Sequence, residues 1–239
     1  MINQIEKILA EMSFAYNTLK YLTIIKSGKE AVVHLISLDE QLFALKIYKE
    51  NLKYSTRQEY MPVGKILDKR MQRAIKKRSS KGIKGMQEMW TNREYSILKK
   101  LNYLNANVPK VFGSTKEAIL LEYLGIETVS APRLIDVELN DAKINSVIEI
   151  ILKNVKLFID CGIIHGDLSA YNILWFNEMP YIIDFPQSLD IKSNPNAYHK
   201  LLKDLDNINK YFLKYTSFNI SQKIKKVEEY FIIKNGQFL

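Results

Sequence analysis

Apolar positions along the chain fall into two periods, and the switches between them outline the architecture before any chemistry is considered. Ile5, Ile8, Leu9 and Met12 recur at three- and four-residue steps, which predicts a helix over residues 2–20. Segments rich in Ile, Val, Leu and Tyr follow at 21–26, 31–37 and 42–48, and Leu38-Asp39-Glu40-Gln41 supplies the turn between the last two. This is the opening of an antiparallel sheet. The periodicity then lapses: residues 50–85 are polar and basic with two glycines near the end, as expected of a long mobile insert with some helix around 65–77. A strong helical stripe returns over 86–104 through Met86, Met89, Trp90, Ile97, Leu98, Leu101 and Leu104.

Strands are expected at 108–112 and 118–121, after which Glu122-Tyr123-Leu124-Gly125 has the character of a hinge. A second long helix is predicted over 141–160, with Ile144, Val147, Ile148, Ile151, Val155 and Phe158 on one side. Ile173-Leu174-Trp175-Phe176 and Tyr181-Ile182-Ile183, separated by Asn177-Glu178-Met179-Pro180, form an apolar hairpin. Helices at 196–215 and 221–233 and a polar tail complete the pattern.

Composition adds little until charge is placed along the chain. With 239 residues, 47% hydrophobic and 26% charged, the protein has the apolar content of an ordinary globule, either one large domain or two lobes. Cys161 is the only cysteine, so no internal disulfide forms and a thiolate metal centre is not expected. The start carries acid and lacks a signal-peptide core, and no run approaches the ~20 apolar residues of a membrane span. A cytoplasmic location without a membrane partner is expected. The net charge of +9 is local: Lys65, Lys69, Arg70, Arg73, Lys76, Lys77, Arg78, Lys81 and Lys84 oppose only Asp68, so residues 65–84 alone carry +8.

The most informative stretch runs from His165 to Asp184. Asp167 and Asn172 stand five residues apart in His-Gly-Asp-Leu-Ser-Ala-Tyr-Asn, the separation that lets a catalytic loop aim a carboxylate at an acceptor and return an amide to a metal ion. Asp184 ends the apolar run of the hairpin. His165 at this place braces the loop rather than transferring a proton. Upstream, Lys46 lies among apolar residues on the third strand and needs an anionic partner; Glu94, on the following helix, is the candidate. The turn Ser27-Gly28-Lys29-Glu30 offers a hydroxyl and backbone amides to phosphates.

These pieces together resemble the RIO family of atypical serine protein kinases, type 1 branch. The resemblance rests on Ser27-Gly28-Lys29-Glu30-Ala31, Leu45-Lys46-Ile47-Tyr48-Lys49, the basic insert, Trp90 with Glu94, Glu122-Tyr123-Leu124-Gly125, the hairpin to Asp184, Gln187-Ser188, Asn194-Pro195 and Asp204. It implies an α+β, two-lobed protein-kinase-like fold: an N-lobe over 1–121 with an antiparallel sheet, an N-terminal helix and the flexible insert 50–85, then a hinge and a small, mostly helical C-lobe over 122–239. It implies ATP and Mg2+ (or Mn2+) as cofactors, Lys46 and Glu94 as the phosphate-binding ion pair, Glu122, Tyr123 and Leu124 as the adenine-facing hinge, Asp167 as the catalytic aspartate, and Asn172 and Asp184 as metal ligands. Asp184 would also accept the phosphoryl group transiently. Serine autophosphorylation or ATP hydrolysis is the implied activity, with ribosomal RNA or a pre-ribosomal particle as a partner for the basic insert. Pro186 stands where the familiar Asp-Phe-Gly has glycine, and its fixed φ opposes a flip there. Two other readings use the same residues: a small-molecule kinase of the aminoglycoside or choline type, and an RNA-binding assembly factor switched by ATP.

Overall fold

Two left-handed residues set the register of the first sheet. Asp39 and Glu40 have φ of 47° and 68°, as both central residues of a type I′ turn require. The Asp39 carboxylate is fixed by accepting from the backbone N–H groups of Asn17 and Thr18 at 2.9 and 2.8 Å. The turn joins β2 (Ala31–Leu38) to β3 (Gln41–Tyr48) in unbroken register from Leu38↔Gln41 to Ala31↔Tyr48. With β1 (Leu19–Ser27), β4 (Val111–Ser114) and β5 (Ala118–Glu122) they form a five-stranded antiparallel sheet, order β1-β2-β3-β5-β4. The structure, a computed structural model, describes residues 1–49, 69–77, 79–215 and 220–236.

One face of this sheet is covered by α1 (Ile2–Glu11), whose Ile5, Ile8 and Leu9 pack against Ile36, Phe43, Leu45, Ala118 and Leu120. The helix is shorter than the expected 2–20. Ser13 adopts φ 54°, and Ser13 and Phe14 donate back to Ala10 and Leu9 carbonyls; this Schellman closure ends the helix and releases the chain into β1.

The polar stretch also holds more helix than expected. Residues 50–68 lie outside the described ones, but α2 (Lys69–Lys76) is followed by α3, which begins at Ser80 and runs to Tyr103. Ser79 caps it, its hydroxyl accepting from Gly82 N–H at 3.2 Å. A Cβ on Gly82 would lie 2.2 Å from the Ala74 carbonyl oxygen, so this glycine is the close-packing point of a helical corner and not a loop signal. Leu104, assigned to the apolar stripe, falls beyond the helix end and is exposed. The strand expected from 108 starts at Val111 instead, because Pro109 has no N–H to give a ladder. β6 (Gly125–Ile126) pairs with β7 (Val129–Ser130).

Two compact units result. The described residues up to Lys99 together with Pro109–Ser130 make the first; residues 100–108 and those from Ala131 onward make the second. The second is built on α4 (Asp141–Asp160), which starts at the Asn140 cap, its side chain accepting from Ala142 N–H at 3.0 Å, and buries Ile144, Val147, Ile148, Ile151, Val155 and Phe158. α6 (Ser221–Asn235) packs against it and against α5 (Ala197–Phe212). Short β8 (Ile163–Ile164) pairs with β11 (Leu189–Asp190), and β9 (Ile173–Phe176) with β10 (Met179–Ile182). The architecture is α+β. Among the described residues no helix is long and apolar enough to cross a membrane.

Candidate active site

The first unit assembles its polar cluster through two periodicities. Along β3, Lys46 and Tyr48 are two residues apart and share one sheet face; along α3, Gln87, Thr91 and Glu94 share the face turned toward them. All five are buried, Glu94 to 1% exposure and Lys46 to 8%. Lys46 Nζ donates to both carboxylate oxygens of Glu94 at 2.9 Å. Tyr48 Oη donates to Glu94 Oε2, and Gln87 Nε2 donates to the Tyr48 carbonyl at 2.7 Å. The pairing of Lys46 with Glu94 was legible in the sequence. Tyr48 and Gln87 were not singled out, although the parity of Tyr48 with Lys46 was available as a signal.

The turn after β1 is closed by Gly28 N–H donating to Ala31 at 2.9 Å. Lys49, absent from the expected set, reaches over it: its Nζ donates to the Gly28 carbonyl at 2.6 Å and to Ser27 Oγ at 3.3 Å. Lys29 is exposed at the tip. At the end of β5, the Glu122 carboxylate accepts from Lys110 N–H at 3.1 Å. Tyr123 and Leu124 are buried, and burial pushes the Tyr123 phenol up.

In the second unit another type I′ turn does the positioning. Asn177 and Glu178 have φ of 47° and 61°, so β10 begins at Met179, two residues earlier than the expected 181, and pairs Met179↔Phe176 through Ile182↔Ile173. Pro180 is tolerated opposite Trp175 because Trp175 N–H turns away to the Pro132 carbonyl at 2.8 Å. This register lets Ile183 N–H donate to the Asn172 carbonyl at 2.9 Å. Asp184 follows immediately, at φ 73°. Asn172 sits in a 3-10 turn, Ala170–Asn172, and its Nδ2 donates to the Asp167 carbonyl at 2.8 Å and to Asp167 Oδ2 at 3.1 Å. Asp167, Asn172 and the strand leading into Asp184 are therefore brought together.

His165 is 2% exposed. Its Nε2 contacts the Ile183 carbonyl at 3.1 Å while its Nδ1 accepts from Asp167 N–H at 3.3 Å. That pattern assigns the Nε2-protonated neutral tautomer. Burial holds its pKa down at about 4, so the ring stays uncharged and braces the loop against the strand before Asp184.

A residue from outside this stretch grips the loop. Asp204, in the buried stripe of α5 between Leu201, Leu205 and Ile208, accepts from Gly166 N–H at 2.7 Å and from Leu168 N–H at 2.9 Å. Asn207 donates to the Leu168 carbonyl at 3.0 Å. Gly166 has φ 82°, and a Cβ there would lie 2.6 Å from the Gln187 carbonyl oxygen. An acid in an apolar helical stripe was the sequence signal for this clamp. Burial raises the Asp167 carboxyl above its ordinary range, with neighbouring Asp184 pushing the same way and the Asn172 hydrogen bond opposing. Such a group is better matched to accepting a proton than an exposed aspartate.

Comparison with known proteins agrees with this geometry. The family described as RIO domain matches residues 31–226. The chain is 30% identical over 195 residues to the RIO-type serine/threonine-protein kinase Rio1 of Methanocaldococcus jannaschii, covering 81% of this chain and 63% of that protein. It is 28% identical over 193 residues to serine/threonine-protein kinase rio1 of Dictyostelium discoideum, covering 80% of this chain and 32% of that protein. Against the latter it thus spans about a third of the relative's length. Among solved structures, the Rio2 kinase–ADP/Mg2+-phosphoaspartate complex from Chaetomium thermophilum aligns with a TM-score of 0.61 at 21% identity, over 83% of this chain and 57% of that one. The fold is shared, and the family match spans strands β2 to β5, the Asp167–Asn172 loop, the Asp184 hairpin and the α5 clamp: the chain belongs to the RIO domain family.

Proposed function

We propose that this chain is an Mg2+-dependent atypical serine kinase that moves the γ-phosphoryl group of ATP to a serine hydroxyl, with Asp184 or water as a second acceptor. The observation that carries the reading is the 3.1 Å contact between Asp167 and Asn172, on a loop whose following hairpin delivers Asp184. The kinase names of the relatives support it, and the phosphoaspartate in the description of the Rio2 complex supports Asp184 as acceptor. The lobe division at 121/122 and a cytoplasmic site of action belong to the same proposal.

In this mechanism Asp167 accepts the hydroxyl proton as the serine Oγ–P bond forms and the bond from phosphorus to the bridging oxygen breaks, releasing ADP. Asn172 holds Asp167 through its amide nitrogen, so its carbonyl oxygen and the Asp184 carboxylate are the hard oxygen donors that the loop and the hairpin would supply. These two oxygens fit Mg2+ or Mn2+, since Mg2+ uses one or two protein ligands and fills its shell with water and phosphate oxygens. Among the described residues there is no cluster of three or more His, Cys, Asp or Glu of the kind a protein-only cage would need. Bound there, the cation would neutralise charge on the transferring phosphoryl group. Lys46, oriented by Glu94, binds the nucleotide phosphates; Ser27 and the amides of Gly28 and Lys29 cover them; the backbone of Glu122, Tyr123 and Leu124 meets the adenine. The test is incubation of the purified chain with γ-labelled ATP and Mg2+, separating label on protein from free phosphate. Asp167→Asn is expected to lower protein labelling by about 10²-fold or more, the usual worth of a general base. Full turnover in that variant would sink the proposal.

An RNA partner is supported by a separate observation. Arg70, Arg73, Lys77, Lys81 and Lys84 are all exposed on and around the α2–α3 corner, which would bind phosphates with strong salt dependence. Lys65, Asp68 and Arg78 lie outside the described residues. Replacing these five by Gln is expected to flatten the slope of log affinity for structured RNA against log salt. An unchanged slope would remove RNA from the partners and leave the kinase reading standing.

A further inference from the structure

We infer that Tyr48 and Gln87 lock the Lys46–Glu94 ion pair in its assembled state before nucleotide binds, which makes Tyr48 a positioning residue for the phosphate-binding lysine. The inference rests on the proposed nucleotide role of Lys46. A buried carboxylate is tolerable only when its oxygens are satisfied, and breaking one contact leaves a charge stranded in an apolar setting. Here the oxygens of Glu94 serve two donors on one strand: both accept from Lys46, and Oε2 accepts from Tyr48 Oη as well. The Tyr48 ring also lies 5.3 Å from the Lys46 ammonium, within the range of a cation–π contact.

Gln87 adds a second grip two turns earlier on α3. Its amide donates to the Tyr48 carbonyl at 2.7 Å, and its side chain is 4% exposed. A helix held to a strand only through one Lys–Glu pair can rotate or slide until the pair opens. For α3 to move Glu94 away from Lys46, the hydrogen bonds Tyr48–Glu94 and Gln87–Tyr48 must break in the same motion, each leaving a buried polar atom without its partner. Thr91, fully buried between them, donates to the Gln87 carbonyl at 2.9 Å. The ion pair is therefore preorganised by the strand that carries the lysine.

The test compares the wild-type chain with Tyr48→Phe and Gln87→Met in the absence of nucleotide. The readout is the rate at which a small amine-acylating reagent modifies Lys46, followed by peptide mass spectrometry. Both variants keep the shape of the side chain, and circular dichroism checks that they fold. Tyr48→Phe is expected to speed Lys46 acylation by about tenfold or more, since a hydrogen bond to a charged group holds the closed state by at least that factor. Gln87→Met is expected to speed it by a smaller factor. Wild-type rates in both variants overturn the lock. In the ATPase assay the locked pair predicts a rise in KM for ATP that exceeds any fall in kcat, because binding and transition state lose the same contact; a fall in kcat at constant KM would show a merely structural role and overturn it too. Lys46→Met, assayed for Mg·ADP affinity, tests the nucleotide reading separately: full affinity there would refute that reading, whereas the acylation rates would still report on the lock.

Discussion

Gly162 and Gly166 stand four residues apart and carry different loads. Both have left-handed backbone, φ 75° and 82°, but a Cβ at Gly162 meets nothing within 4 Å whereas one at Gly166 lies 2.6 Å from the Gln187 carbonyl oxygen. Gly162→Ala is expected to cost only the left-handed penalty of about 1–2 kcal/mol. Gly166→Ala should cost clearly more, since the opposing atom is backbone, and should shift the loop that carries Asp167; urea midpoints measured in parallel check the ranking. Asp204, which clamps the same loop, gives a pH signature. Burial lifts its carboxyl from 3.8 to about 7, outweighing the two N–H donors that favour the ionised form. The folded state then holds a proton that the unfolded chain releases, so this contribution to stability is complete below about pH 4 and is lost as pH rises through about 7. Stability of the wild type relative to Asp204→Asn is expected to fall across that window. A flat difference between their denaturation midpoints would contradict the assignment.

At the scale of elements, end signals were readable where they were chemical and misread where they depended on a neighbour. The apolar stripe from Ile144 to Phe158 predicted a helix over 141–160, and α4 has those bounds, its start held by the local Asn140 cap. Gly82 suggested a loop, yet it is the contact point of two helices, and no pattern in its own segment announces the Ala74 carbonyl. Asn154 shows the same limit inside α4. It interrupts the apolar face, is 1% exposed, and its Oδ1 accepts from Asn107 N–H at 2.6 Å, tying the segment after α3 to the helix. Asn154→Leu is expected to destabilise by about 1–3 kcal/mol, since the half-buried Asn107 N–H loses its acceptor. Chemical denaturation checks this; a gain in stability would mean that apolar packing outweighs the tether.

For the whole molecule, the proposed chemistry draws on residues from both compact units, Lys46 and Glu94 from one and Asp167, Asn172 and Asp184 from the other. Lys46→Met and Asp167→Asn are each expected to reduce label transfer by about 10²-fold or more, and the double variant to be little worse than either, as for residues that act as a unit. Additive losses would argue that they serve separate activities. The sequence by itself determined what is short-range: the five-residue spacing of Asp167 and Asn172, the turn at 38–41 between two strands, and the apolar setting of Lys46 that calls for an anionic partner; the two-residue turn at Asn177-Glu178 and the register it sets came only with the structure. Backbone angles and side-chain periods act over a few residues, so they can be read along the chain. Only the tertiary structure decided that Tyr48 and Gln87 complete the Glu94 ion pair and that Asp204, 38 residues from Gly166, holds the loop that carries Asp167. Those choices follow from the cost of burying polar groups unpaired, which has no meaning until packing has removed the water.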